Sequence, residues 1–306
     1  LGYMQFWYPD LPALATIGIL TTLNLLTVKM FGETEFWFSM IKIVAIIAFL
    51  ILGISLVSIG FVSPSGVKAS FKHITDPASF LPHGITGFLS GFQMAVFAFL
   101  GIELVGTTAA ETKNPEKSLP KAINSIPWRI LLFYIGALLV IISVMSWQHV
   151  DPNQSPFVAL FKLVGLTAAA AVVNFVVLTS AMSSANSGIF ATSRMLYGLA
   201  VEQDAPQRFT RLSKGKVPVQ AILCSMGCVV AGTMILFITP NVMSAFNIVT
   251  AFTSILTVFA FAMILLSYLA YRKQRPDLHA QSVYKMPAGI FMSWAGIAFM
   301  VFVVVI

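Results

Sequence analysis

The chain has 306 residues, 58% of them hydrophobic and only 9% charged, with a mean hydropathy of +0.89. Soluble domains carry about 25% charged residues, so a chain this poor in charge cannot cover its own surface with polar groups, and its solvent is lipid. The formal net charge of +7 does not signal a nucleic-acid partner, because the cations sit in short segments between apolar runs, where they set membrane topology.

A membrane helix needs about 20 apolar residues to cross a hydrocarbon core about 30 Å thick. Residues 1–8 read as the tail of a helix. Complete spans are predicted at 11–29, 36–60, 86–106, 128–147, 157–187, 218–238 and 243–270, and a further one begins near 288. Turn signals punctuate them on alternate sides. Pro9-Asp10, Ser63-Pro64-Ser65-Gly66, Asp151-Pro152-Asn153 and Thr239-Pro240-Asn241 mark one set of loops, and Gly32-Glu33, Asn114-Pro115, Val217-Pro218 and Arg275-Pro276 the other. The second set carries most of the cations, Lys113, Lys117, Lys121, Arg208, Arg211 and Lys214 among them. The first holds Lys68 and Lys72, with Lys162 just inside a helix start. That bias makes the lysine- and arginine-rich side cytoplasmic. Leu1 has no charged segment before it and FMVFVVVI ends inside an apolar run, so the expectation is the middle of a longer protein.

Three features do not belong in lipid. The first is Glu103 in FAFLGIELVG: a carboxylate at mid-membrane costs about 2.5–3.5 kcal/mol on insertion scales. Gly101 and Gly106 beside it weaken helical continuity. A helix opened there must have its freed backbone groups satisfied by protein or by a ligand in a cavity, which is how secondary transporters build a midplane site. The competing reading is a glycine packing face with Glu103 salt-bridged to a neighbour.

The second is Lys42 in WFSMIKIVAII, about 10 Å into its helix at 1.5 Å per residue. Either the side chain snorkels to the interface, or it points inward and exchanges a proton. The third is the seam TSAMSSANSG at 179–188, whose hydroxyls serve close helix packing or line a wet pathway.

Other chemistries find no support. The chain has no Walker A sequence and no HExxH, and His73, His83, His149 and His279 all fall in predicted loops. Cys224 and Cys228, at helical i,i+4 spacing, read as small packing residues rather than a disulfide or zinc pair. No metal or cofactor is expected, and the chain does not read as an enzyme. A channel usually shows a charged ring or a repeated filter, and neither is visible.

The stretches FGETEFWFSMIKIVAI, FAFLGIELVGTTAAETKNPEKSLPKAINSIPWRI, SSANSGIFATSRMLYGLA and YRKQRPDLHAQSVYKMP resemble the bacterial permeases of the amino acid–polyamine–organocation superfamily. They are most similar to its D-serine/D-alanine/glycine branch. The resemblance covers essentially the whole chain. It implies an all-α polytopic membrane protein of the inverted five-helix-repeat, leucine-transporter-type fold. On that template the chain is a fragment from the end of helix 3 to the start of helix 11, a single transporter domain with the second repeat at about 84–271. Helices 1 and 2, which carry half of the expected binding site, are not in it.

Carried over by position, the resemblance assigns Phe97, Ala98, Phe99, Leu100 and Gly101 to the unwound centre of the sixth helix. Carbonyls there accept the substrate ammonium, and Phe97 or Phe99 closes over the ligand. Glu103 matches an acidic residue implicated in gating or proton coupling. Lys42 matches a fifth-helix lysine near the position that sodium takes in sodium-coupled relatives, and Ser183 and Ser184 lie close to the same cavity. The implied activity is proton symport of small neutral amino acids, D-alanine, D-serine and glycine, across the bacterial inner membrane. Its partners are the substrate, a proton and the bilayer. Another amino acid (aromatic, L-alanine or γ-aminobutyrate) or sodium coupling is the alternative, and the oligomeric state is left open.

Overall fold

The computed structural model describes residues 10–26, 28–64, 66–75, 81, 83–107, 112–145, 147, 150–151, 154–235, 239 and 242–305. The expected helix tail at 1–8, residues 236–238 of the sixth complete span, His149 and the turn residues Pro9, Ser65, Pro152-Asn153 and Pro240-Asn241 lie outside them. Among the described residues the elements are helical, with one isolated antiparallel bridge between Val62 and Lys68.

The main helices are α1 (Asp10–Leu25), α2 (Val28–Ser58), α3 (Gly84–Ala98), α4 (Pro115–Val144), α5 (Pro156–Leu163), α6 (Thr167–Val201), α7 (Val219–Thr233), α8 (Val242–Gln274) and α9 (Gly289–Val305). Residues Met30–Ser58, Pro115–Val144, Thr167–Val201 and Met243–Gln274 are long and apolar enough to cross a membrane. This is a helical membrane protein.

The chain forms two compact units, each discontinuous in sequence. The first comprises Leu1–Asp76 and Pro127–Ile238, the second Pro77–Ile126 and Thr239–Ile306. The chain passes from one to the other within α4. That helix starts where proline allows it: Pro115 takes the first position, where its missing N–H costs nothing, after Asn114 at φ 54. Ile130–Ile135 widens into a π-helical turn, a local insertion typical of functional or strained helices.

In the first unit, α6 lies against α1, α2, α5 and α7, and the second half of α4 packs on α2. Phe49 of α2, Val144 of α4 and Leu160 of α5 are fully buried in one cluster. Gly53 is what brings α2 and α4 so close, because a Cβ there would collide with the Val140 side chain. A second cluster joins Leu20 of α1, Ile189 of α6 and Ile222 of α7. Large apolar side chains also point outward, Phe175 among them at 64% exposure. In a lipid solvent these need no cover.

In the second unit, α8 is the central element, packed on α3 and α9. Aromatic edges join α3 to α9, with the ring centroids of Phe92 and Phe302 5.9 Å apart.

Several sequence boundaries move. The span expected at 36–60 starts at Val28, so Gly32 and Glu33 are inside α2, not in a loop. The span expected at 157–187 is two helices, because Gly165 at φ +79 turns the chain between α5 and α6. Lys162 therefore falls in the last turn of α5 rather than at a helix start. Cys224 and Cys228 are free and exposed on α7, so they are not packing residues.

Candidate functional site

The second unit holds the interruption. Its sequence runs apolar up to Phe99, then meets Gly101, which adopts φ +99, a conformation that suits glycine. The α3 helix ends at Ala98, residues 99–103 form turns, and helix resumes only at Leu104–Thr107. Phe97 sits in the last turn of α3, edge-on to Phe246 of α8 with centroids 5.9 Å apart. Phe99 and Leu100 are exposed, and Glu103 is half-buried.

The Glu103 carboxylate turns back on the break. It accepts from the Gly101 amide at 3.0 Å through Oε2 and at 3.2 Å through Oε1. The amide of Gly101, in the turn that follows α3, is thereby satisfied by the acidic side chain two residues on.

Leu100 and Glu103, with Thr253, Thr257 and Phe261 of α8, line a cavity of about 220 Å³. That is below the range of roughly 300–1,000 Å³ typical of drug-sized ligand sites and suits a small solute. Its polar chemistry is one-sided. Thr253 and Thr257 donate their hydroxyl protons to the carbonyls of Val249 and Thr253, each at 2.7 Å, which leaves their oxygens as acceptors. With the Glu103 carboxylate they are the polar part of an otherwise apolar wall formed by Leu100, Leu256, Ala260 and Phe261, and all of that polar part accepts.

The first unit holds a chain of polar side chains between helices. Lys42 Nζ donates to Ser183 Oγ at 3.0 Å, and Ser183 Oγ donates to Glu35 Oε2 at 2.7 Å. Asn186 Nδ2 donates to Glu35 Oε1 at 2.8 Å, and Asn24 Nδ2 donates to Asn186 Oδ1 at 2.7 Å. The network ties α1, α2 and α6 together. Its middle is dry: Ser183, Asn186 and Asn24 are 0–1% exposed, whereas Glu35 and Lys42 are half-buried.

Lys42 therefore points into the bundle, and snorkelling does not describe it. The structure brings Lys42 and Ser183 together as the sequence suggested. Ser184 goes elsewhere: it is exposed, and its hydroxyl bonds the Ser180 carbonyl at 3.1 Å. Adjacent residues on a helix point about 100° apart, so only one of the pair can face α2.

Sequence reading missed Glu35, Asn24, Thr253 and Thr257. The signal for Glu35 was present, since Glu35 and Lys42 are seven residues apart, two helical turns, and share a face. It was hidden because the helix was expected to begin at residue 36. The threonines follow the same logic at i,i+4. Asn24 stands alone in an apolar run and gives no periodic signal.

Comparison with known sequences identifies the family. The amino acid permease family model matches residues 1–306. The chain belongs to the amino acid permease family. It is 58% identical over its whole length to the D-serine/D-alanine/glycine transporter of Escherichia coli K12, covering 66% of that protein. It is 44% identical to the amino-acid permease AapA of Bacillus subtilis, over 99% of this chain and 66% of the relative. It is also 44% identical to the DL-alanine permease SerP2 of Lactococcus lactis, over 89% of this chain and 60% of the relative. The chain thus spans about two thirds of the length of these relatives. The family is one of permeases, not enzymes.

Proposed function

We propose that the chain is part of a bacterial inner-membrane symporter that imports small neutral amino acids, D-alanine, D-serine and glycine, with protons. The observation that carries this reading is the break at 99–103 beside a small, mostly apolar cavity that includes Glu103, Thr253 and Thr257, in a chain of this family. The names of the relatives point to the same substrate class.

The zwitterion leaves water only if both its charges are met. The ammonium goes to acceptors at the break, which are backbone carbonyls of residues 97–101, the Glu103 carboxylate and the threonine oxygens. Gly101 gives the turn its shape, and Phe97 or Phe99 closes over the ligand. Ser183 and Ser184 remain candidates for the substrate path on the strength of the resemblance. Lys42 and Glu103 are the groups for proton coupling. A proton drives transport only by binding the outward- and inward-open states with different affinity, and both groups sit where helices meet. Inverted repeats, with the second at about 84–271, supply the two states.

The test is uptake of labelled glycine by the full-length protein against a panel of D- and L-amino acids. D-alanine, D-serine and glycine compete strongly, and aromatic or γ-aminobutyrate competitors do not. Strong competition by aromatic amino acids alone overturns the substrate assignment. Uptake that persists with a protonophore and vanishes when choline replaces sodium overturns proton coupling.

A further inference from the structure

The network around Lys42 contains a second ionisable group that neither the sequence reading nor the family comparison singles out. We propose that Glu35 is the proton-accepting partner of Lys42, reached through the Ser183 hydroxyl, and that this three-residue relay delivers the transported proton to the cytoplasmic face. The inference rests on the proton-symport reading and deepens it.

The geometry carries it. Lys42 Nζ, Ser183 Oγ and Glu35 Oε2 form an unbroken donor–acceptor line with steps of 3.0 and 2.7 Å. Ser183 is 1% exposed, so water does not compete for its hydroxyl. A proton moving from Lys42 Nζ to Ser183 Oγ, while Ser183 passes its own proton to Glu35 Oε2, converts ammonium and carboxylate into amine and carboxylic acid. One N–H and one O–H bond break, two O–H bonds form, and no net charge is created. Afterwards the protonated Glu35 donates to Ser183, and Ser183 donates to the amine lone pair of Lys42. The same heavy-atom positions satisfy both states, so the hop needs no rearrangement.

The rest of the network holds the acceptor in place. Asn186 Nδ2 fixes the other carboxylate oxygen, and Asn24 fixes Asn186. Asn186 bonds Oε1, leaving Oε2 as the atom that faces Ser183. Glu35 is half-buried seven residues nearer than Lys42 to the start of α2, the side that charge bias makes cytoplasmic. It can therefore shed its proton to water there.

Among the described residues, few other charges lie on the elements packed around the pair. The remaining ionisable groups of α6 are Tyr197 and Arg194, the latter with its guanidinium carbon 3.3 Å over the Phe190 ring. On α2 the other charged residues are Lys29 and Glu33. The part of α4 packed on α2, Gly136–Val144, has no titratable residue, and α1 has only Asp10 at its opposite end.

The experiment uses the full-length protein in inside-out vesicles, where the cytoplasmic face meets the buffer. Proton-driven glycine accumulation and the dependence of glycine exchange on buffer pH are measured for E35Q, S183A, K42M and the E35Q/S183A pair. S183A keeps both charges and cuts only the bridge, so it serves if E35Q folds poorly. The relay predicts that E35Q and S183A each lower accumulation tenfold or more and flatten the response to cytoplasmic-side pH. Exchange in E35Q falls less than threefold, and accumulation in the double variant is no worse than in the poorer single. Wild-type accumulation and pH response in E35Q, or multiplying losses in the pair, overturns the relay. K42M that keeps its coupling overturns the parent reading as well. K42M that loses coupling while E35Q and S183A keep it overturns the relay alone.

Discussion

The two units each put a carboxylate and its partners among apolar helices, and they satisfy them by opposite means. In the seam between α2 and α6, Glu35 and Lys42 are satisfied side chain to side chain across intact helices, with Ser183, Asn186 and Asn24 almost wholly buried between them. At the end of α3 the backbone itself opens, and Glu103 answers a freed amide two residues away. The first arrangement is a closed circuit suited to moving a proton without moving atoms. The second leaves acceptors facing a cavity of about 220 Å³, which is what a ligand needs. On the proposed reading, where the polar groups find their partners separates the Glu35–Lys42 relay from the cavity beside Glu103.

The largest effect expected from breaking this contrast is at Lys42. In the reconstituted full-length protein, Lys42→Met removes the donor at one end of the circuit, and accumulation driven by a pH gradient falls at least tenfold. Wild-type accumulation assigns the lysine a structural role. Glu103→Gln comes next. The glutamine oxygen still accepts from Gly101, so the turn survives, but the negative charge at the cavity is gone. Glycine uptake falls about three- to tenfold, through a raised KM and a weaker response to the pH gradient, and an unchanged KM together with an unchanged pH response would leave Glu103 as a cap for the break and nothing more.

Smaller effects test the frame rather than the chemistry. Gly101→Ala places a Cβ at φ +99, a conformation that costs non-glycine residues about 1–3 kcal/mol. A lower midpoint in a thermal unfolding assay of the detergent-solubilised protein is the result, and an unchanged midpoint would mean the turn is not held at that angle. Asn186→Ala deletes two bonds of the seam. Interhelical hydrogen bonds in membranes average about 0.6 kcal/mol and reach about 1.7, because the unfolded chain in lipid also finds partners. The thermal midpoint therefore shifts less than for Gly101→Ala. A larger shift would make the seam a stability device first.

Much of this was legible in the sequence. Hydropathy alone gives helices in a membrane, and the glycine beside an acid in an apolar run marks the interruption, because both features are local. The turns at Asn114-Pro115 and Arg275-Pro276 fall where the dipeptides put them. What could not be read were pairings. Ser183 follows Glu35 by 148 positions and Asn186 follows it by 151, and no local pattern says that these faces meet. The split between α5 and α6 escaped for a different reason. Gly165 is flanked by apolar residues on both sides, so hydropathy runs on while the backbone turns.

The most direct test of the whole account is an imposed pH gradient across vesicles holding the full-length protein, with sodium replaced by choline. Glycine should accumulate transiently in the direction of proton flow, and the accumulation should vanish when a protonophore is added. Accumulation that ignores the pH gradient and follows a sodium gradient instead would contradict it.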